Sequence, residues 1–169
     1  GQVDKFLTGP CNSTLWQGKK YAIPLGSNTV VLWINTDMAK AAGLDPAKPP
    51  TTWVEFENWA AKMTDKSKGV YGTALLGKKD ETGTFLFLPW VLQNGGTLAT
   101  LDSPESIAAL AFWKDLIDKG YAPKTAITDG FAEIYTQFTT GKAAMMISGT
   151  WNVNSVPKDA PDLKWEVAL

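Results

Sequence analysis

Apolar residues in this chain fall into short β-branched and aromatic runs, separated by longer segments that carry helix-capping signals. Residues 20–24 and 29–34 (TVVLWI) read as two strands, parted by Leu25-Gly26-Ser27-Asn28, whose small and polar residues suit a turn or a close backbone approach. After Asn35-Thr36-Asp37 a short Ala/Met/Lys helix is expected to end at Gly43, followed by the stiff spacer Asp45-Pro46-Ala47-Lys48-Pro49-Pro50. Thr52-Trp53-Val54-Glu55 has the spacing of a capping box and predicts a helix to about residue 64, with Trp53, Phe56, Trp59 and Ala60 on its buried face. Residues 70–76 (VYGTALL) read as the next strand. An apolar helix over 85–93 follows, with Pro89 either in its first turn or kinking it, and Asn94-Gly95-Gly96 stopping it. Ser103-Pro104-Glu105 joins a cap hydroxyl, a first-turn proline and a carboxylate at the positive helix end, so a helix runs from there to Lys119-Gly120. A further helix over 130–140 leads into the short apolar strand 143–147 (AAMMI). Residues 165–169 read as one more strand, cut off at its end. Alternating strands and helices predict an α/β fold with some parallel pairing through right-handed crossovers.

The 169 residues suffice for one ordinary core that buries roughly 70% of the unfolded surface. The missing residue types narrow the chemistry further. There is no His, a single Cys, and every basic residue is Lys, so imidazole-assisted nucleophiles, Cys-rich zinc sites and internal disulfides are excluded. Without Arg the planar fork that grips carboxylates and phosphates is absent, which favours neutral ligands. A net charge of -1, with Lys19-Lys20 and Lys78-Lys79 lacking flanking aromatic platforms, speaks against nucleic-acid binding. No stretch approaches the roughly 20 apolar residues of a membrane span, and the opening residues carry no export signal. Leu7-Thr8-Gly9-Pro10-Cys11 has only the outline of a lipoprotein cleavage site, since no apolar segment precedes it, and Cys11 reads as incidental. No metal or cofactor motif is present, and Gly-rich phosphate loops are absent.

Candidate chemistry is confined to a few places. Asp80 with Glu81, Asp102 with Glu105, and Glu55 with Glu57 are carboxylate pairs that a glycoside-processing enzyme could use, although helix capping explains Glu55 and Glu105. Three polar and aromatic spots remain: Gly26-Ser27-Asn28; Thr82-Gly83-Thr84-Phe85; and Ser148-Gly149-Thr150-Trp151, which follows a buried strand at the end where open α/β sheets bind ligands. Most of the eight Trp belong in the core, and Trp151 is the exception best placed to meet a ligand.

Three blocks resemble the carbohydrate-binding solute-binding proteins of bacterial ABC importers, to which the maltodextrin-binding proteins belong. They are Gly18-Lys19-Lys20-Tyr21-Ala22-Ile23-Pro24 leading into Leu32-Trp33-Ile34-Asn35-Thr36-Asp37; Pro50-Thr51-Thr52-Trp53-Val54-Glu55-Phe56; and Phe138-Thr139-Thr140-Gly141-Lys142-Ala143-Ala144-Met145-Met146-Ile147-Ser148-Gly149-Thr150-Trp151. The resemblance implies a periplasmic-binding-protein type II lobe, a central mixed sheet flanked by helices. Residues 1–24 would be the hinge-proximal segment, 25–150 the main part of the second lobe, and 151–169 a truncated return toward the hinge. It implies a non-enzymatic, monomeric protein outside the cell membrane or in the periplasm, without cofactor, that hands a small carbohydrate to membrane permease subunits. Trp151 resembles the position that stacks on a sugar face, and Asn28, with Ser27 beside it, a polar contact near the hinge. Thr84 and Phe85 fall near a helix start lining the cleft. Asn28 is an amide where family members often have a polar or acidic side chain, which changes the donor pattern. A peptide or polyamine ligand is the alternative within the same binding class.

Overall fold

The computed structural model describes residues 5–169, so the first four residues of the expected 1–24 segment lie outside the described residues. A short helix α1 (Thr8–Asn12) buries Cys11, and a two-residue hairpin follows, β1 (Leu15–Trp16) against β2 (Lys19–Lys20). Gln17 and Gly18 both have positive φ (47° and 74°), the backbone that a tight hairpin turn of this hand requires. The strand expected over 20–24 does not form beyond Lys20, because residues 21–29 are almost wholly exposed and have no sheet to join.

The run VVLWIN becomes the central strand β3 (Val30–Asn35), which passes directly into helix α2 (Thr36–Ala41), capped by the Asn35 side chain. Helix α3 (Trp53–Met63) starts on the expected capping box: Thr52 Oγ1 accepts from the Glu55 amide at 3.2 Å, and Glu55 Oε2 accepts from the Thr52 amide at 3.2 Å. Helix α4 (Glu81–Gln93) begins earlier than the sequence reading placed it, with Asp80 as N-cap, so Pro89 sits in the helix interior and leaves the Phe85 carbonyl without its intrahelical donor. Helix α5 (Pro104–Asp118) is capped by Ser103 as expected, and α6 (Phe131–Thr139) follows. Strand β4 (Met145–Gly149) lies two residues downstream of the expected run; just before it, the Ala144 amide donates to the Tyr71 carbonyl and the Ala144 carbonyl accepts from the Asn35 amide. A 3₁₀ turn (Thr150–Asn154), helix α7 (Val156–Asp159) and strand β5 (Trp165–Ala168) complete the chain.

The sheet order is β4-β3-β5, and both pairings are antiparallel. Among the described residues, parallel pairing survives only as two isolated bridges, Tyr71↔Ala143 and Ala74↔Met146, which set the 70–76 segment along the outer edge of β4 without making it a regular strand. Side chains of β3 alternate between two cores. Leu32 and Ile34 face a cluster built on Phe56, Trp59, Trp90, Trp113 and Leu116, whereas Val31 and Trp33 face one built on Leu86, Ile134, Phe138 and Val156. Burial on both faces is why this strand reads as an unbroken apolar run rather than an alternating one. The Trp residues divide accordingly. Trp33, Trp59, Trp90 and Trp113 are buried and Trp53 and Trp165 half-buried, while Trp16 and Trp151 are exposed.

Candidate functional site

Strand β4 delivers Trp151 to the surface. The last ladder pair is Val30↔Gly149, and one further hydrogen bond, from the Thr150 amide to the Thr29 carbonyl at 3.0 Å, carries the pairing past the end of the strand. Asn28 and Trp151 are the next residues along their two chains, so the sheet brings these two sequence-predicted positions to one end. Ser27 and Asn28 are exposed in the irregular 21–29 segment, and among the described residues their side chains make no hydrogen bond.

The Trp151 indole is 40% exposed and Phe85, on α4, is 43% exposed, with ring centroids 6.4 Å apart and planes tilted by 35°. Phe131, the first residue of α6, meets the same indole edge-on at 5.3 Å and 87°. Three rings from three elements thus form one open aromatic surface, with two faces turned roughly alike and the third bracing them from the side. The underside of the indole rests on Gly149, where a Cβ would lie 1.9 Å from Trp151 Cζ3. Below it the Asn152 Nδ2 donates to Ser148 Oγ at 2.9 Å, and both residues are buried.

The helix starts that carry the two Phe rings are held side by side. The Gly77 amide donates to the Ala126 carbonyl at 2.7 Å and the Lys78 amide to the Asp129 carbonyl at 3.2 Å, which ties the segment before α4 to the turn before α6. Asp80 Oδ1 accepts from the Thr82 amide at 2.9 Å, and the Thr82 hydroxyl holds this carboxyl well below the usual range, at about 2. Glu133 is likewise lowered, chiefly by the Gly130 amide that donates to it at 2.8 Å. The structure separates Thr84 from its neighbour Phe85. Thr84 lines a groove of about 590 Å³ together with Phe87, Leu110, Trp113 and Ile127, away from the Trp151 ring.

Phe131 and Asn152 are the parts of this arrangement that sequence reasoning left unassigned, and Gly149, named there within the Ser148-Gly149-Thr150-Trp151 spot, was given no role as the seat of the ring. Gly149 and Asn152 flank Trp151 in sequence, and Phe131 directly follows the Gly130 helix start, yet only the folded chain shows them under and beside the ring. Several members of the carboxylate pairs serve local structure. Glu55 caps α3 and is lowered in pKa, first by the Thr51 amide, Glu105 is lowered at the start of α5, and Glu57 pairs with Lys119 Nζ at 2.7 Å. Among the described residues no group of three or more His, Cys, Asp or Glu is placed to hold a metal ion, and no helix is long and apolar enough to cross a membrane. What remains chemically is an open surface of aromatic faces at the sheet end that also carries the exposed Ser27 and Asn28.

Known proteins share this architecture. The model of bacterial extracellular solute-binding proteins matches residues 3–168. A binding protein of Brucella abortus is 28% identical over 170 residues, covering 97% of this chain and 41% of that protein, so the chain spans about two fifths of the length of this curated relative. Among solved structures, an ABC transporter solute-binding protein from Thermotoga lettingae bound with α-D-tagatose aligns with a TM-score of 0.85 at 28% identity, over 99% of this chain and 47% of that one. A maltose-bound protein of T. maritima aligns with a TM-score of 0.86 at 26% identity, over 99% of this chain and 44% of that one. With the family model spanning nearly its whole length, this chain belongs to the bacterial extracellular solute-binding proteins.

Proposed function

We propose that this chain is the ligand-gripping lobe of an ABC importer's substrate-binding protein, capturing a carbohydrate outside the cell membrane or in the periplasm and passing it to membrane permease subunits. Residues 25–150 form the main part of that lobe, 1–24 lead in from the hinge, and 151–169 return toward it. The observation that carries the reading is the exposed Trp151 ring, braced by Phe85 and Phe131 beside the Ser27-Asn28 segment. A sugar ring has an apolar face and a hydroxyl-rich rim, so an aromatic plane with amide and hydroxyl groups at its edge matches it without any charge. Two similar solved structures hold tagatose and maltose. The protein acts as a monomer and breaks no bond. A glycosidase acid needs a carboxyl kept protonated by apolar surroundings, whereas Asp80, Glu55 and Glu105 are all shifted the other way.

Calorimetric titration of the full-length protein with neutral mono- and oligosaccharides tests the reading. Saturable one-to-one binding with no release of reducing ends is expected, and Trp151→Ala is expected to weaken it roughly thirtyfold, the scale of losing a central aromatic anchor. Unchanged affinity in that variant refutes the platform. Binding of a peptide or a polyamine in place of every sugar refutes the carbohydrate assignment.

A further inference from the structure

We infer that Ser148 and Asn152 are positioning residues, which set the Trp151 ring in its stacking orientation before a ligand arrives. The inference rests on the reading of Trp151 as the sugar platform. Ser148 belongs to β4 and Asn152 to the 3₁₀ turn, with Trp151 between them in sequence. The Asn152 Nδ2 donates to Ser148 Oγ at 2.9 Å, and the two residues are 8% and 1% exposed. Groups buried this deeply lose a partner in any conformation of the turn that parts them, so the bond selects one path for the intervening Gly149, Thr150 and Trp151. Thr150 is fixed independently by its amide bond to the Thr29 carbonyl. The indole is then seated on Gly149, with Phe131 closing one side.

Neither Ser148 nor Asn152 is exposed enough to touch a ligand, so their effect on binding must pass through the ring. A turn held only for stability could use an apolar pair of the same shape, because replacing both partners of a buried hydrogen bond is often nearly neutral. The polar pair adds direction. Its consequence for binding is that the ring's freedom is lost on folding rather than on association.

The test uses the full-length protein labelled with 5-fluorotryptophan, with the Trp151 fluorine resonance identified by its loss in Trp151→Ala. In the ligand-free protein one narrow Trp151 resonance is expected. Ser148→Ala and Asn152→Ala should each broaden or shift it while leaving the core tryptophan resonances in place. Maltose affinity, where maltose binds, should fall roughly tenfold in each variant, the order expected when one side chain must be ordered on binding. It should fall no further in the double variant, nor when Asn152→Ala is added to Trp151→Ala. An unmoved Trp151 resonance in both single variants overturns the inference. So does an equal affinity loss on adding Asn152→Ala with and without Trp151, which would mark a general structural role. Should Asn152→Ala fail to fold, Ser148→Ala carries the test alone, since it removes a single hydroxyl. If maltose does not bind, that counts against the sugar reading only, and the ligand-free resonance still decides the positioning role.

Discussion

Gly149 has φ −78° and ψ 158°, extended values that any L-residue adopts, so its backbone does not call for glycine. The Trp151 ring does, because it occupies the space where a side chain would stand. In Gly149→Ala the ring is the movable party and β4 is not, so the damage should fall on the site more than on the fold. We expect stability to drop by only about 1 kcal/mol in denaturant titrations, while sugar affinity falls to the level of Trp151→Ala. An affinity matching the unaltered protein would mean the ring needs no glycine seat. Single residues of this kind were partly readable beforehand. Trp151 stood out because it follows an apolar run of strand length, and Asn28 because it sits in a small polar loop ahead of another. Gly149 and Asn152 owe their roles to a three-dimensional packing of ring, strand and turn that no periodicity encodes.

Among the elements, α4 shows most clearly what local signals miss. The apolar run from Phe85 and the interior Pro89 suggested a late start or a kink, whereas Asp80 caps a helix that begins at Glu81 and carries Phe85 to the platform. Asp80 entered the sequence reading only as half of a carboxylate pair, because it sits in the charged stretch Lys78-Lys79-Asp80-Glu81, which reads as plain solvated loop. Helices α3 and α5, whose caps and apolar faces agree, formed where expected. The 70–76 segment was read as a strand from its β-branched and apolar residues, yet it meets β4 only at its edge and stays irregular. The cap on α4 makes a pH prediction. The Thr82 hydroxyl holds the folded Asp80 carboxyl at about 2, below an unfolded value of about 3.9, so folding favours the charged form. Its stabilising contribution is therefore complete above about pH 4 and disappears as pH falls through about 2. The melting temperature of the unaltered protein should exceed that of Asp80→Ala by a constant margin from neutral pH down to about 5, and the margin should close toward pH 2. A margin that persists at pH 2 would mean that charge at this cap is immaterial.

In the whole molecule, one strand separates two cores and belongs to both. Because β3 sends Leu32 and Ile34 to one cluster and Val31 and Trp33 to the other, neither cluster can loosen without disturbing the sheet between them. Phe138 is fully buried against the edge of Trp33, and Phe138→Ala is expected to cost about 3–5 kcal/mol. Probes in the opposite cluster, such as Trp113, should report the same lowered midpoint as probes near Phe138, and two separated transitions would show that the cores are independent. The same strand order bears on how the protein comes into being. Strand β3 is made before both of its partners, Met145–Gly149 and Trp165–Ala168, which lie more than about a hundred residues further on. A growing polypeptide therefore carries an apolar strand with two open edges until those partners have been made, and cannot close this sheet ahead of them.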